Sequence, residues 1–324
     1  MKPVYIIVVA LGLATLSEAG AQQAPLYPTR PLRLVLSVPP GGAADFTGRV
    51  LGAKLGEFLG QHIVIESRPG AGGIVASEYV TKATPDGYTL MLSSSTTHGV
   101  APVLYKKLPY DAMKGFTHIA GVSFIPAMMV VHTDVPAKSV KEFVALAKAK
   151  PNGYLFASSG NGSAPHLFGE QFNILTGAKI VHVPYKGSGP AVVGMASGES
   201  HVMFDGLPSL IAQIKAGRLR PLVALHDKRF TVLPDVPTAA EAGVPGLEGG
   251  IWYGISGPAG VPAAVVERLA KEVARVIDQS DVQERFASVG GLPMRTGPKE
   301  YVAFIQKENR KWGEVVRISG AVPN

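Results

Sequence analysis

Two segments of this chain have the composition expected of a site for a small anion. The first passes from a β-forming run, Leu32–Val38, through PPGGAAD at 39–45 into a helical pattern over Phe46–Leu59. The second passes from Tyr154–Ala157 through SSGNGS at 158–163 into another helix. Small residues let a ligand approach the backbone, and a helix start presents unpaired N–H groups with partial positive charge. Two such turns, one in each half of the chain, predict two lobes that close on one anion, although either turn alone also fits an ordinary βα connection.

Several polar side chains beside these turns could contact a ligand, and each also has a structural explanation. Asp45 could cap the first helix or receive a ligand ammonium or hydroxyl group. The run SSSTT at 93–97 follows a predicted strand, where ligands of α/β proteins collect, although a serine-rich loop is often only solvated. His166 could be a satisfied structural histidine, Lys186 a solvated cation, and Asp205 an anchor for its neighbouring loop.

Signatures of catalysis are missing from the sequence. No Gly-x-Ser-x-Gly elbow and no Gly-x-x-x-x-Gly-Lys-Ser/Thr phosphate loop occurs, and GSGP at 187–190 lacks the third glycine of a dinucleotide fingerprint. The eight histidines are scattered, and none pairs with another at the helical spacing of metal ligands. We therefore expect no enzyme, no catalytic residue, no metal and no cofactor.

The N-terminus and the composition predict an exported protein. Lys2, an apolar run over Val4–Leu16 and the small residues Ala19-Gly20-Ala21 form the pattern of a cleaved signal peptide at 1–21. There is no cysteine, so no disulfide, thiol nucleophile or lipidated cysteine is available. The net charge of +7 arises from dispersed Lys and Arg with no aromatic stacking platform, which argues against a nucleic-acid partner and indicates a mild preference for acidic solutes.

Short apolar runs alternate with helical patterns, which predicts an α/β fold. The predicted strands are Leu32–Val38, Ile63–Ile65, Tyr88–Leu92, Met128–His132, Tyr154–Ala157, Lys179–Val183, Val202–Phe204 and Leu222–Leu225. The predicted helices are Phe46–Leu59, Ile74–Ala83, a helix ending near Thr176, Ser139–Lys150 with Ser139 and Glu142 as a capping box, Ala263–Asp278, and one that opens at Pro298. Leu233–Gly250, rich in Pro, Gly and acidic residues, is predicted to be a loop or crossing. The expected lobes are 22–127 with 250–324, onto which the C-terminal helices pack back, and 128–249.

Eight short motifs resemble those of the Bug-type periplasmic solute receptors, the TctC-like binding subunits of tripartite tricarboxylate transporters. They are PPGGAAD at 39–45, ESRPGAGG at 66–73, TPDGYTL at 84–90, LYKKLPYD at 104–111, SSGNGSAPH at 158–166, VPYKGSGPA at 183–191, VMFDGLPS at 202–209 and LPDVPTAAEAG at 233–243. They follow the family's order across nearly all of the chain beyond the signal peptide, so together they are highly specific.

The resemblance implies a two-lobed Venus-flytrap fold (a type II periplasmic binding protein) in which each lobe is a central sheet flanked by helices. It also implies that βα loops of both lobes hold a ligand carboxylate, often through bridging water. The candidate ligand-binding residues are Pro40, Gly41, Gly42, Asp45, Ser93, Ser94, Ser95, Ser159, Asn161, Ser163, His166, Tyr185, Lys186, Gly187 and Asp205. Pro39, where an aromatic or apolar residue is more usual, and Gly206, where asparagine is usual, depart from the family pattern.

The expected function is that of a monomeric periplasmic receptor that delivers a small carboxylate to integral-membrane transporter subunits. The ligand could be a dicarboxylate, a tricarboxylate, an aromatic acid or an acidic amino acid, with a slight preference for a dicarboxylate or aromatic acid. A receptor that presents its closed form to a signalling system is an alternative, and an exported enzyme acting on a carboxylate is a further one.

Overall fold

The computed structural model describes residues 27–321. The predicted signal peptide at 1–21, the first residues after it and the last three residues lie outside the described part of the chain. Within 27–321, no helix is both long enough and apolar enough to cross a membrane.

Ten strands alternate with helices and form one continuous, mixed sheet. The strands are β1 (Leu32–Leu36), β2 (Ile63–Ser67), β3 (Thr89–Ser94), β4 (Phe116–His132), β5 (Leu155–Ser158), β6 (Val181–Pro184), β7 (Val202–Gly206), β8 (Leu219–Leu225), β9 (Gly250–Pro258) and β10 (Leu292–Thr296). The main path runs β2-β1-β3-β9-β4-β7-β5-β6, and β8 and β10 also pair with β4.

The long strand β4 joins two halves of this sheet. Its first part, Phe116–Pro126, pairs antiparallel with β9, which in turn pairs with β3. Its last part, from Ala127 onward, pairs antiparallel with β7 and β8. Within each half, the strands that precede the Gly-rich turns are parallel: β1 lies between β2 and β3, and β5 lies between β6 and β7. The carboxyl ends of parallel strands meet at one edge, so each half gathers its own turns there.

Helices cover both halves of the sheet. They are α1 (Ala43–Leu59), α2 (Ile74–Thr81), α3 (Ala101–Leu104), α4 (Val140–Ala149), α5 (Ala164–Thr176), α6 (Ser188–Ala196), α7 (Leu207–Lys215), α8 (Ala263–Ile277), α9 (Ser280–Ala287) and α10 (Pro298–Ser319). A 3-10 turn at Ala71–Gly73 precedes α2, and a π-helix at Ser95–Val100 follows β3.

The helix α10 connects the two halves of the molecule. Its Trp312 is fully buried and packs edge-on against Phe168 of α5, with ring centroids 5.4 Å apart. The Asn309 amide donates to the carbonyl oxygens of His98 and Gly99 in the π-helix. The C-terminal helix therefore contacts both the elements after β3 and the helix after β5.

The structure confirms most of the predicted elements and adds several that the sequence patterns missed. Ser139 caps α4 by accepting the N–H of Glu142, but the Glu142 carboxylate accepts from Lys138 rather than completing a capping box. The chain from 233 to 249 has no helix or strand beyond one bridge at Thr238, as predicted. The missed elements are the π-helix, α3, the first part of β4, β9, β10, α6, α7 and α9. All of β9 is buried and lacks the polar alternation that marks a half-exposed strand.

Candidate ligand-binding site

A cavity of about 740 Å³ lies between the loops of the two halves of the sheet. Five segments form its wall: the loop after β1, the Gly-rich turn before α2, the segment after β3 that carries Thr96 and Tyr105, the loop after β5 and the loop after β6. The lining residues are Ser37, Val38, Pro39, Pro69, Gly70, Ala71, Gly72, Gly73, Thr96, Tyr105, Ser159, Gly160, Asn161, Ser163, Pro184, Tyr185, Lys186 and Gly187. The loops after β1 and β5 thus share a single cleft, as the pair of anion-binding turns predicted.

A smaller inner chamber of about 40 Å³ adjoins this cavity. The two spaces share Ser37, Val38, Pro39, Thr96 and Ser159. Gly42, Ser94, Ser188 and Tyr253 are among the residues that line the chamber alone. A cavity must have a volume of about 10–15 Å³ to hold one water molecule, so the chamber has room for a water molecule or one small polar group.

Helix starts give the cleft a positive character. Gly42 is the N-cap of α1, Ser163 that of α5 and Gly187 that of α6, and all three line the cavity or the chamber. The first N–H groups of each helix have no partner within the helix, and the helix dipole adds partial positive charge. Among the described residues that line these spaces, Lys186 carries the only formal charge. The electrostatics therefore favour an anion.

The loops of the two halves touch through glycines. A Cβ atom on Gly42 would lie 3.3 Å from Ser188 Cβ, and one on Gly187 would lie 2.9 Å from Pro39 Cγ. The N–H of Ala164, the first residue of α5, also donates across the cleft to Thr96 Oγ1, 3.4 Å away. Larger residues at these glycines would hold the two halves apart.

The walls of these two spaces include eight of the fifteen residues that the sequence predicted. They are Gly42, Ser94, Ser159, Asn161, Ser163, Tyr185, Lys186 and Gly187. The other seven, Pro40, Gly41, Asp45, Ser93, Ser95, His166 and Asp205, line neither space. Pro40 and Gly41 are exposed at the outer end of their loop.

Asp45 faces away from the cleft, and it does not cap α1. The helix begins at Ala43 with Gly42 as its N-cap, which places Asp45 inside the first turn. One carboxylate oxygen accepts from Arg49 Nε at 2.8 Å, and the other accepts from the Gly41 N–H at 3.3 Å. Its charge is therefore paired outside the cavity.

Ser93 and Ser95 are fully buried. The strand β3 extends through Ser94, two residues beyond its predicted end, so Ser93 points into the interior. There its hydroxyl contacts the Gly254 carbonyl, the Ser256 hydroxyl and, at 2.9 Å, the Tyr301 hydroxyl. The hydroxyl of this run that reaches the cavity is Thr96.

His166 lies beneath the loop after β5 rather than on the cavity wall. Its Nδ1 accepts the Gly162 N–H at 3.1 Å, and its ring stacks on His182 with centroids 3.9 Å apart. Burial lowers the pKa of His166 to about 4. Burial also lowers the pKa of His182 to about 3, and repulsion from His166 adds to this effect.

Asp205 is fully buried and is the next-to-last residue of β7, directly before α7. Its Oδ1 accepts the Gly206 N–H at 2.7 Å. Burial raises its pKa to about 6, and hydrogen bonding to Ser188, Gly206 and Ser209 partly offsets that rise. Among the described residues, Asp205 Oδ2 and the Ser209 hydroxyl have no hydrogen-bond partner, so the two serines lie near the carboxyl without a well-formed bond to it.

Sequence reasoning missed part of the wall. The motif at 66–73 contains the turn Pro69–Gly73 but does not mark it as part of the site, and the sequence patterns do not single out Ser37, Thr96, Tyr105, Ser188 or Tyr253. Ser188 and Thr96 are each next to a predicted ligand-binding residue in the sequence, Gly187 and Ser95, so the motifs locate them to within one residue. Tyr253 comes from β9, which no local pattern predicted.

The sequence profile of the tripartite tricarboxylate transporter family receptors, TctC, matches residues 47–320. The chain belongs to this receptor family. Protein BugT of Bordetella pertussis is 34% identical over 317 residues, which cover 98% of this chain and 97% of BugT. This relative supports the Bug-type resemblance of the motifs.

Solved structures of family members share the fold. A structure described as a periplasmic transporter superposes with a TM-score of 0.89 at 35% identity, and covers 92% of this chain and 100% of its own. A Rhodopseudomonas palustris protein solved with adipate has a TM-score of 0.89 at 32% identity, with the same coverage. MatC of R. palustris, solved with malate, has a TM-score of 0.85 at 33% identity, and covers 90% of this chain and 100% of its own. The receptor therefore has the two-lobed periplasmic-binding-protein fold, and its family is one of solute receptors.

Proposed function

We propose that this TctC-family receptor binds a small dicarboxylate in the cavity between its lobes and delivers it unaltered to membrane subunits of a tripartite transporter. The observation that carries the proposal is the convergence of three helix starts and Lys186 on one cleft walled by backbone and hydroxyl groups. Such groups donate hydrogen bonds to a carboxylate, and no acidic side chain among the described residues of the wall competes for them.

The ligand class follows from chemistry shared with relatives. Two structurally similar family members were solved with adipate and malate, which are both dicarboxylates. In the present chain, Asn161 and Ser163 would contact one carboxylate, Ser37 and Thr96 would lie opposite, and the exposed Lys186 would attract the anion from a distance. The loop after β1 contributes no free negative charge to the wall, because Asp45 is paired with Arg49 outside it.

The remaining parts of the proposal concern export and the two lobes. Residues 1–21 would direct export and be removed, and the mature monomer would work in the periplasm. One lobe would comprise 22–127 and 250–324, and the other 128–249, with the crossings in β4 and β9 as hinge. Closure would bury the ligand and create the surface that the membrane subunits recognise.

The energetics require several simultaneous contacts. A micromolar dissociation constant corresponds to about 8 kcal/mol. A hydrogen bond to a charged group contributes about 1.5–3 kcal/mol, so three or more donors must act together. The donors come from both lobes, so binding and closure are expected to be coupled.

A thermal-shift screen followed by calorimetry tests the proposal. Malate, adipate, citrate, benzoate and aspartate would be titrated, with the diamide of a dicarboxylic acid as the uncharged control. A dicarboxylate should raise the melting temperature increasingly with concentration, because it binds only the native state. Turnover of the same compounds should be absent, since a receptor releases its ligand unaltered.

Two variants locate the binding site. Asn161→Ala and Ser159→Ala should each weaken binding about tenfold, which corresponds to about 1.4 kcal/mol. Ser288→Ala at the end of α9, outside the cavity walls, is the matched control and should bind as the wild type does. Failure of all the carboxylates to bind, or unchanged affinity in both cavity variants, would refute the assignment.

A further inference from the structure

Two histidines are stacked directly beneath the loop that follows β5. His166 in the first turn of α5 and His182 of β6 are nearly parallel, with 3.9 Å between ring centroids and 11° between ring planes. Phe156 of β5 continues the stack on His182, with centroids 4.8 Å apart. These rings form a rigid layer under Ser159, Gly160 and Asn161, which line the cavity.

His166 is bonded directly to the backbone of that loop, and His182 is linked to it through the Ser158 hydroxyl. His166 Nδ1 accepts the N–H of Gly162 at 3.1 Å. His182 Nε2 bonds the Ser158 hydroxyl, and that hydroxyl in turn accepts the N–H of Gly160 at 3.1 Å. Two amides of the ligand-facing loop are therefore held by the pair.

The bond to Gly162 requires a neutral His166. A protonated imidazole carries hydrogen on both ring nitrogens, so Nδ1 could no longer accept. A charge on either ring would also face its stacked partner at 3.9 Å. The bond to Gly162 fixes the tautomer of His166, with the proton on Nε2.

We propose that His166 and His182 are positioning residues that hold the amides of the loop after β5 in ligand-binding geometry, as neutral rings with His166 accepting at Nδ1. This inference rests on the proposed function, because the loop after β5 is the one that would bind the carboxylate. The histidines would contact this loop and not the ligand itself.

Burial keeps the pair neutral. Besides His182, Glu170 on α5 is the titratable group that faces His166, with Oε1 3.7 Å from Nε2. An ionised carboxylate there would favour the charged ring, but burial raises the pKa of Glu170 and lowers that of His166. The strand β5 presents Phe156 and Ser158, which do not titrate. Burial lowers the pKa of both histidines, so the loop should keep its geometry down to about pH 5.

Rescue by a conservative variant distinguishes positioning from simple structural support. His166→Ala removes the acceptor and should weaken binding of the best dicarboxylate at least tenfold at pH 7.5. His166→Asn places an amide oxygen near the position of Nδ1 and should stay within threefold of the wild type. His62→Gln, in the exposed turn between α1 and β2, is the control and should change nothing.

Nuclear magnetic resonance of the ligand-free protein gives a second readout. The nitrogen shifts of His166 should show a bare Nδ1 at pH 7, and the Gly160 and Gly162 amide shifts should stay constant to about pH 5 and move together below it. A protonated Nδ1 at pH 7, or wild-type affinity in His166→Ala, would overturn the inference. If the wild type binds no carboxylate, the proposed function fails, while these shifts still decide whether the pair holds the loop.

Discussion

Gly42 and Ser188 meet where the two lobes touch, and they leave little space for a side chain on Gly42. The contact joins the N-cap of α1 to the first residue of α6, and a Cβ on Gly42 would come within 3.3 Å of Ser188 Cβ. The backbone of Gly42 is extended (φ −122°), so a larger residue would not be strained there for conformational reasons. The approach of the lobes therefore depends on the absence of a side chain.

Gly42→Val should hinder closure. We expect ligand affinity to fall at least tenfold and the radius of gyration in small-angle X-ray scattering with ligand to stay at its ligand-free value. Ser188→Gly in the same chain should restore part of the affinity, because it removes the opposing Cβ. Additive losses in this double-mutant cycle would contradict the steric explanation.

Lys186→Met should weaken binding in a salt-dependent way. Lys186 is exposed at the cavity mouth, so its contribution is mainly long-range attraction that salt screens. We expect about a tenfold loss of affinity at low ionic strength and a smaller loss at high ionic strength, measured by calorimetry. Lys215→Met, on the exposed end of α7, should show neither effect, and a salt-independent loss in Lys186→Met would argue for a direct bond instead.

Asp205→Asn should increase stability, and more so at high pH. Burial raises the pKa of Asp205 to about 6 from its ordinary 3.8, so the folded state binds the proton more tightly than the unfolded state. The wild type therefore loses stability as pH rises from about 4 to about 6, by about 3 kcal/mol in all. The difference in unfolding free energy between variant and wild type should grow over that range in urea titrations. If this difference in unfolding free energy did not change with pH, the pKa of the Asp205 carboxyl group would not be raised.

Ser93→Ala and Thr96→Val should separate stability from binding. Ser93 is bonded to three buried groups, so its loss should cost about 1–3 kcal/mol of unfolding free energy without changing affinity. Thr96 lines the cavity and accepts the N–H of Ala164 across it, so its loss should weaken binding about tenfold with little change in melting temperature. The reverse pattern would place the ligand against Ser93 instead.

Local sequence patterns were sufficient for most elements near the cleft. The alternation of short apolar runs with Gly-rich turns located β1, β5, α1 and α5 because each is defined by neighbouring residues. The patterns failed for β9 and β10, which are placed by long-range pairing with β4. The two-residue difference between the predicted strand Val202–Phe204 and β7, which extends to Gly206, is of the same kind: strand ends follow their partners.

The sequence alone predicted the chemical character of the site, since glycines, hydroxyls and helix starts after β-forming runs favour a small anionic ligand. It also determined the family, through motifs spread along the chain. The tertiary structure decided which of those residues face the cavity. Asp45, Ser93, His166 and Asp205 turn away from it because ion pairing with Arg49, the length of β3, the stack on His182 and the burial of β7 fix their directions. Side-chain direction depends on partners distant in sequence, and only the folded chain brings those partners together.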